Sequence, residues 1–243
     1  MRPDAEHRAV LALAAEGLSD SEISRRTGVP RGTVRGWRTG RQRRGPRTAD
    51  YDWARLPREP YAYLLGLYLG DGYLARFPRG VHRLVISIDA RHREIQRRCA
   101  DAIAAVMPGN AVALTARPGC VAVGAYSKHW PALFPQHGPG PKHERPIRLA
   151  PWQQEIVDEH PRAFLRGLVE SDGSRFVNRV TVGGRTYAYP RCTFGNESAD
   201  IRRLFTDACD RLGIAWRRMN ATDVSVARRD AVAALDAFIG PKR

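Results

Sequence analysis

The sequence predicts an α+β chain in which helix, two strands, helix, two strands and helix are run through twice with antiparallel hairpins, behind a small all-α unit. Three observations predict it. An apolar nonapeptide, Leu64-Leu65-Gly66-Leu67-Tyr68-Leu69-Gly70-Asp71-Gly72, returns as Leu165-Arg166-Gly167-Leu168-Val169-Glu170-Ser171-Asp172-Gly173. The same succession of strand, hairpin and helix signals follows each copy. Residues 1–40 carry only helical spacing, broken by glycine and proline.

In residues 1–40, Glu6 to Glu16 sets Val10, Leu11, Leu13 and Ala14 close to one helix face before Gly17 stops it. Ser19 and Glu22 have the spacing of a capping box, and that helix ends at Gly28. Pro30 suits the first turn of a third helix through Val34 and Trp37. Leu18, Ile23, Val29, Val34 and Trp37 then form the buried side, leaving Arg31, Thr33, Arg35 and Arg38 outward. The stretch Glu22 to Val34 resembles the helix-turn-helix of resolvase and transposase-like DNA-binding domains, in which the second helix of the pair enters the major groove. Seven arginines and no acid stand between Arg31 and Thr48. Arg41, Arg43 and Arg44, with Gly45-Pro46, make residues 41–50 a basic linker that can lie along phosphates.

The balance of 40 basic against 25 acidic residues, net charge +15 and pI near 10.6, attracts polyanions. All but three of the basic residues are arginines, the exceptions being Lys128, Lys142 and Lys242. A hydrophobic share of 43% excludes a disordered polycation. The apolar run from Tyr61 to Gly70 is far short of the roughly 18 residues that span a bilayer, so no membrane partner is expected. The N-terminus lacks the layout of a secretory signal, and Cys99, Cys120, Cys192 and Cys209 form no C-x-x-C pair. A cytoplasmic, nucleoid-associated protein without zinc or disulfides is expected. The two ends lack the nucleophiles and Asn of splicing chemistry, so a free-standing protein is expected rather than an intein.

Residues 51–243 divide into repeats of about 51–150 and 151–243. Small residues stand four apart in each nonapeptide, Gly66 with Gly70 and Gly167 with Ser171. Glycine in a helix interior costs about 1 kcal/mol relative to alanine, and close approach of two helices is the compensating reason. Such a pair brings its C-terminal ends together and sets Asp71 beside Asp172, with Gly72 and Gly173 expected in the left-handed conformation that ends a helix. Carboxylates at the negative ends of two helix dipoles repel each other and become favourable when a hard divalent cation, Mg2+ or Mn2+, lies between them.

After the first motif come a strand (Arg83 to Asp89), a helix (His92 to Met107), a hairpin at Pro118-Gly119 and a short helix from Ser127. After the second come a hairpin at Gly183-Gly184, a helix from Ser198 to Leu212, a hairpin around Asn220 and a helix from Arg229 to Phe238. Period-two alternation puts Arg185, Tyr187, Tyr189 and Arg191 on one strand face and Thr186, Ala188, Cys192 and Phe194 on the other. Arg83, Ser87 and Asp89 likewise oppose Leu84, Ile86 and Ile88. The basic and aromatic faces are candidate groove readers.

The doubled motif resembles the LAGLIDADG homing endonuclease family in its single-chain form, over Tyr51 to about Gly240. The resemblance implies two pseudosymmetric halves with saddle-shaped antiparallel sheets in the major groove, motif helices at the interface, and Asp71 and Asp172 as metal-binding catalytic acids. Family members carry a Gly-rich segment with a Lys near the active site, here His137 to His143, which makes Lys142 a catalytic candidate and His137 and His143 weaker ones. Arg166 departs from the motif, where a small or apolar residue is usual, and must point away from the interface or find a partner. Glu170 against Leu69 makes the halves inequivalent. The expected protein is a monomer with internal pseudo-twofold symmetry that binds double-stranded DNA and hydrolyses phosphodiesters with a divalent metal. The alternative is a catalytically silent transcriptional regulator of the same fold.

Overall fold

The structure is a computed structural model that describes residues 4–39 and 51–240. Its contacts divide the chain into two units, Met1–Asp50 and Tyr51–Arg243, each with its own apolar core. Arg41, Arg43 and Arg44 lie outside the described residues.

The first unit has three helices, α1 (Asp4–Ala15), α2 (Asp20–Thr27) and α3 (Arg31–Arg38). The capping box forms as expected: Glu22 N donates to Ser19 Oγ (3.3 Å) and Ser19 N donates to Glu22 Oε2 (3.0 Å). Gly28, at φ 67°, closes α2. Pro30 stands just outside α3, in extended geometry, rather than in its first turn. Val10, Ile23, Val29 and Val34 are fully buried between the helices, with Leu13, Leu18 and Trp37 packed around them.

In the second unit, α4 (Arg58–Asp71) leads into β1 (Gly72–Arg76), β2 (His82–Asp89), α5 (Arg93–Val106), β3 (Val112–Arg117), β4 (Cys120–Ser127) and α6 (Trp130–Leu133). After α7 (Pro151–Glu159), the succession repeats as α8 (Pro161–Asp172), β5 (Gly173–Val182), β6 (Arg185–Gly195), α9 (Ala199–Arg211), β7 (Arg217–Arg218), β8 (Asp223–Val226) and α10 (Arg229–Ile239). The antiparallel sheets have matching orders, β1-β2-β4-β3 and β5-β6-β8-β7. The helix expected from Ser127 begins later, because Ser127 still pairs with His82 in the sheet.

The motif helices α4 and α8 form the seam between the repeats. Every residue of α4 from Tyr61 to Leu69 is buried, which is why its sequence is apolar all round rather than amphipathic. At the crossing a Cβ built on Gly66 would collide with Phe164 O and stand 2.9 Å from Leu168 N; one on Gly167 would collide with Tyr63 O. The small residues are there because backbone packs on backbone. Gly72 and Gly173, by contrast, are extended (φ −99° and −87°), which corrects the left-handed expectation. Each chain runs straight from helix into strand, and glycine is needed for space: a Cβ on Gly72 would meet Tyr68 Cα at 2.5 Å, and one on Gly173 would meet Val169 Cα at 2.8 Å.

The two sheets differ in reach. Gly183 and Gly184 both take positive φ (56° and 77°), the twist of a two-residue hairpin turn. Strand β8 pairs with β6 only at Cys192–Gly195, so β5 and β6 project beyond the sheet as a two-stranded ribbon. Thr186 and Ala188, expected on the covered face, are therefore exposed, whereas Cys192 and Phe194 are buried. Phe194 stacks on Phe205 of α9 at 4.4 Å.

Candidate active site

Asp71 and Asp172 end α4 and α8, and the seam sets how those ends meet. A Cβ on Gly70 would lie 2.5 Å from Ser171 Cβ and 2.9 Å from Asp172 Oδ2, so the Asp172 carboxylate rests against the α4 backbone one residue before Asp71. Ser171 keeps its hydroxyl out of the crossing by donating to Leu168 O (2.9 Å) and Gly167 O (3.1 Å). Asp71 is exposed and Asp172 half-buried. Asn196, in the β6–α9 loop, donates from Nδ2 to Asp172 Oδ2 at 2.7 Å, while its Oδ1 accepts from Ser198 N.

Lys142 reaches this junction from the Gly-Pro loop. Its Nζ donates to Tyr68 O (2.6 Å), Gly70 O (2.8 Å) and Leu69 O (3.0 Å), carbonyls of the last turn of α4, of which Tyr68 O also accepts from Gly72 N. It also stands 5.1 Å from the Tyr68 ring centroid. Burial lowers the Lys142 pKa to about 8, against the opposing pull of Asp172 and Asp71. A cavity of about 500 Å3 opens here, lined by Asp172, Lys142, His143, Asn196, Glu197 and Asp223 among others. His143 Nδ1 lies 3.2 Å from Glu197 Oε2, whereas His137 faces a second cavity on the other side of Lys142, 5.9 Å ring to ring from His82.

Among the described residues no group of three or more His, Cys, Asp or Glu is arranged around a metal position. Two carboxylates at adjoining helix ends are nevertheless the donor set that Mg2+ takes, since it binds through one or two carboxylates and completes its shell with water and substrate phosphate. The residues present fit such an ion.

The outer sheet faces carry most of the expected readers. Arg83 donates to Thr115 Oγ1 (3.2 Å) and lies over the Tyr126 ring, and Ser87 is half-buried. Val85, between them, is buried. Asp89 is tied to its own turn: Arg91 N and Nη2 both donate to it at 2.8 Å, holding its carboxyl well below the usual range. Arg185, Tyr187 and Tyr189 are exposed on the ribbon, and Arg191 is half-buried. On α3, Arg31 and Arg35 are exposed and Thr33 half-buried, while Arg38 pairs with Asp20 at 2.5 Å.

Arg166 finds its partner one turn along its own helix, 4.0 Å from Glu170 Oε1. Glu170 is buried, accepting from Tyr63 Oη (2.5 Å) and Arg98 Nη2 (2.8 Å). Sequence reasoning missed Asn196, Tyr73, Thr115 and Tyr126. Asn196 stands where a loop enters a helix and reads as capping alone. Tyr73 directly follows Asp71-Gly72 in an alternating strand, the one signal that pointed to it.

No curated protein matches the chain. The homeodomain-like domain family matches residues 2–46. The homing endonuclease I-DmoI, solved in complex with DNA and Mn, is 15% identical, with a TM-score of 0.50 over 76% of this chain and 99% of that one. A variant of I-DmoI with its target DNA in the presence of Mg is 14% identical, with a TM-score of 0.50 over 76% and 98%. Residues 51–240 thus have the LAGLIDADG homing endonuclease fold, and the chain joins that fold to a homeodomain-like helical unit. No described helix is long and apolar enough to cross a membrane.

Proposed function

We propose that the chain binds specific sites in double-stranded DNA and cleaves them as a divalent-cation-dependent endonuclease, using Mg2+ or Mn2+, with its two repeats serving one monomer in place of two subunits. The observation that carries this reading is the junction at which the Asp172 carboxylate lies against Gly70, next to Asp71, with the Lys142 ammonium on the Gly70 carbonyl at 2.8 Å. A divalent ion bound by Asp71 and Asp172 would neutralise phosphodiester charge and acidify the attacking water. Asn196 fixes the orientation of the Asp172 carboxylate. Lys142, held by three carbonyls, keeps a positive charge where negative charge builds up on the phosphate in the transition state. Arg83, Arg185 and the exposed tyrosines of the sheets orient the duplex through its groove and phosphates.

Incubating the protein with fragmented genomic DNA and Mg2+ and mapping the new ends tests the proposal. Discrete cut sites are expected, with Asp71→Asn or Asp172→Asn lowering cleavage by about a hundredfold or more and leaving DNA affinity in place. Cutting retained by the double variant overturns the assignment. A second reading, a regulator that binds without cutting, draws on the homeodomain-like unit at residues 2–46; specific binding with no cleavage under any divalent ion would favour it.

A further inference from the structure

Six of the large apolar side chains that the second unit leaves exposed lie together on the β5–β6 ribbon: Phe176, Val177, Val180, Val182, Tyr187 and Tyr189. All but Val177 share one face, because the register sets Phe176 opposite Arg191, Val180 opposite Tyr187 and Val182 opposite Arg185. The two tyrosine rings run nearly parallel, 6.3 Å apart. An exposed apolar face of this kind marks an interaction surface. Between Gly173 and Gly195 there is no acid, and Arg185 and Arg191 share the apolar face whereas Arg175 is paired with Asp236, so the partner that fits is a polyanion presenting apolar groups.

A DNA major groove has that chemistry. It admits a two-stranded ribbon, and the thymine C5-methyl is the apolar group on its floor. From Phe176 to Val182 the ribbon extends about 20 Å at roughly 3.3 Å per residue, or about six base pairs at 3.4 Å each. The first repeat has no equivalent projection, and on its outer face the exposed rings of Tyr73 and Tyr126 are interleaved with the hydrogen-bonding groups of Arg83 and Thr115. We infer that the β5–β6 ribbon reads thymine methyl groups, so that the half-site beneath the second repeat is specified by apolar contact at A·T pairs. The inference rests on the DNA-binding reading above.

The test uses the full-length protein with random-sequence duplex DNA in EDTA, so that selection proceeds without cleavage. Enriched sites are resynthesised with deoxyuridine in place of thymidine in one half at a time. The variant Val180→Ser with Val182→Ser, which alters only exposed side chains, identifies the ribbon's half-site. Loss of thymine methyls there should weaken binding by about fourfold per contacted thymine. The same change in the other half should have less than about a twofold effect, and the variant should bind both DNAs equally. Unchanged affinity for deoxyuridine DNA, or a ribbon half-site without thymine, overturns the inference while leaving DNA binding intact. A variant that loses self-association but keeps its DNA affinity assigns the ribbon to a second copy of the chain and also overturns it. Absence of any enriched sequence defeats the underlying DNA-binding reading.

Discussion

Gly66 and Gly167 face each other across the α4–α8 crossing, where a Cβ built on either would stand 3.0 Å from the other's Cα. The atoms that would be struck are backbone, which no rotamer change can move aside, so Gly66→Ala must push the helices apart. Despite alanine's higher helix propensity, that substitution should lower stability by about 2 to 3 kcal/mol. Gly36, inside α3, has open space where its Cβ would go. Gly36→Ala should therefore raise the stability of the first unit by about 0.5 to 1 kcal/mol. Chemical denaturation of the two variants should show opposite signs; equal stability of Gly66→Ala and wild type would mean that the seam is not tightly packed.

Glu170 holds its charge inside the seam, with its side chain only 2% exposed, by accepting from Tyr63 of α4 and Arg98 of α5. Removing Arg98 leaves a buried carboxylate with Tyr63 as its hydrogen-bond donor and Arg166 no nearer than 4.0 Å. Arg98→Met should cost about 3 to 5 kcal/mol, and adding Glu170→Met should restore most of it. A double-mutant cycle by urea unfolding measures the coupling; additive losses would show that the pair does not act as a unit.

The seam was legible in the sequence because glycines and serine four apart inside an apolar helix weaken that helix unless another backbone lies against them, and the recurrence of the pattern predicted that the ends of α4 and α8 meet. The hairpins at Pro118-Gly119 and Gly183-Gly184 were legible for a local reason, since turn chemistry is written in adjacent residues. What could not be read was long-range. Gly72 and Gly173 looked like helix-ending glycines, but the pressure on them comes from the preceding helical turn and, for Gly72, from the side chain of Ile86. Alternation placed Thr186 and Ala188 on a covered face because it cannot reveal that β8 stops pairing at Cys192. Asn196 touches Asp172 only through tertiary folding. The grip of Lys142 on three carbonyls far back in the chain had no local signal beyond a lysine in a Gly-Pro loop.

Lys142 gives the stability of the protein a signature in pH. In the folded chain it releases its proton near pH 8, and in the unfolded chain near 10.5. Between those values the unfolded state binds the extra proton, so this residue makes stability rise with pH across that window. Buried tyrosines and cysteines with raised pKa values act in the opposite direction, which makes the informative quantity the difference between wild type and Lys142→Met. Denaturation midpoints from pH 7.5 to about 10.5 should show wild type gaining relative to the variant. Parallel curves would indicate that Lys142 titrates normally in the folded chain.

Asn196 separates the two acids. Its amide donates to Asp172 Oδ2 at 2.7 Å, and its place in the β6–α9 loop is fixed by Arg202, which donates from Nη1 to its carbonyl, and by its own N–H to Thr222 O at 3.1 Å. Asn196→Ala removes a hydrogen bond to a charged group, worth about 1.5 to 3 kcal/mol, and frees the carboxylate to rotate. If Asp172 works in cleavage, the variant should cut about tenfold or more slowly at saturating DNA, with KM little changed and Tm lowered by at most about 12 °C. Higher Mg2+ should recover part of the loss, because an ion can reorder a carboxylate that is mobile but still present. A rate unaffected by Asn196→Ala would show that the orientation of Asp172 does not limit the reaction; a loss that Mg2+ does not relieve, accompanied by unfolding, would show that the contact serves only the loop.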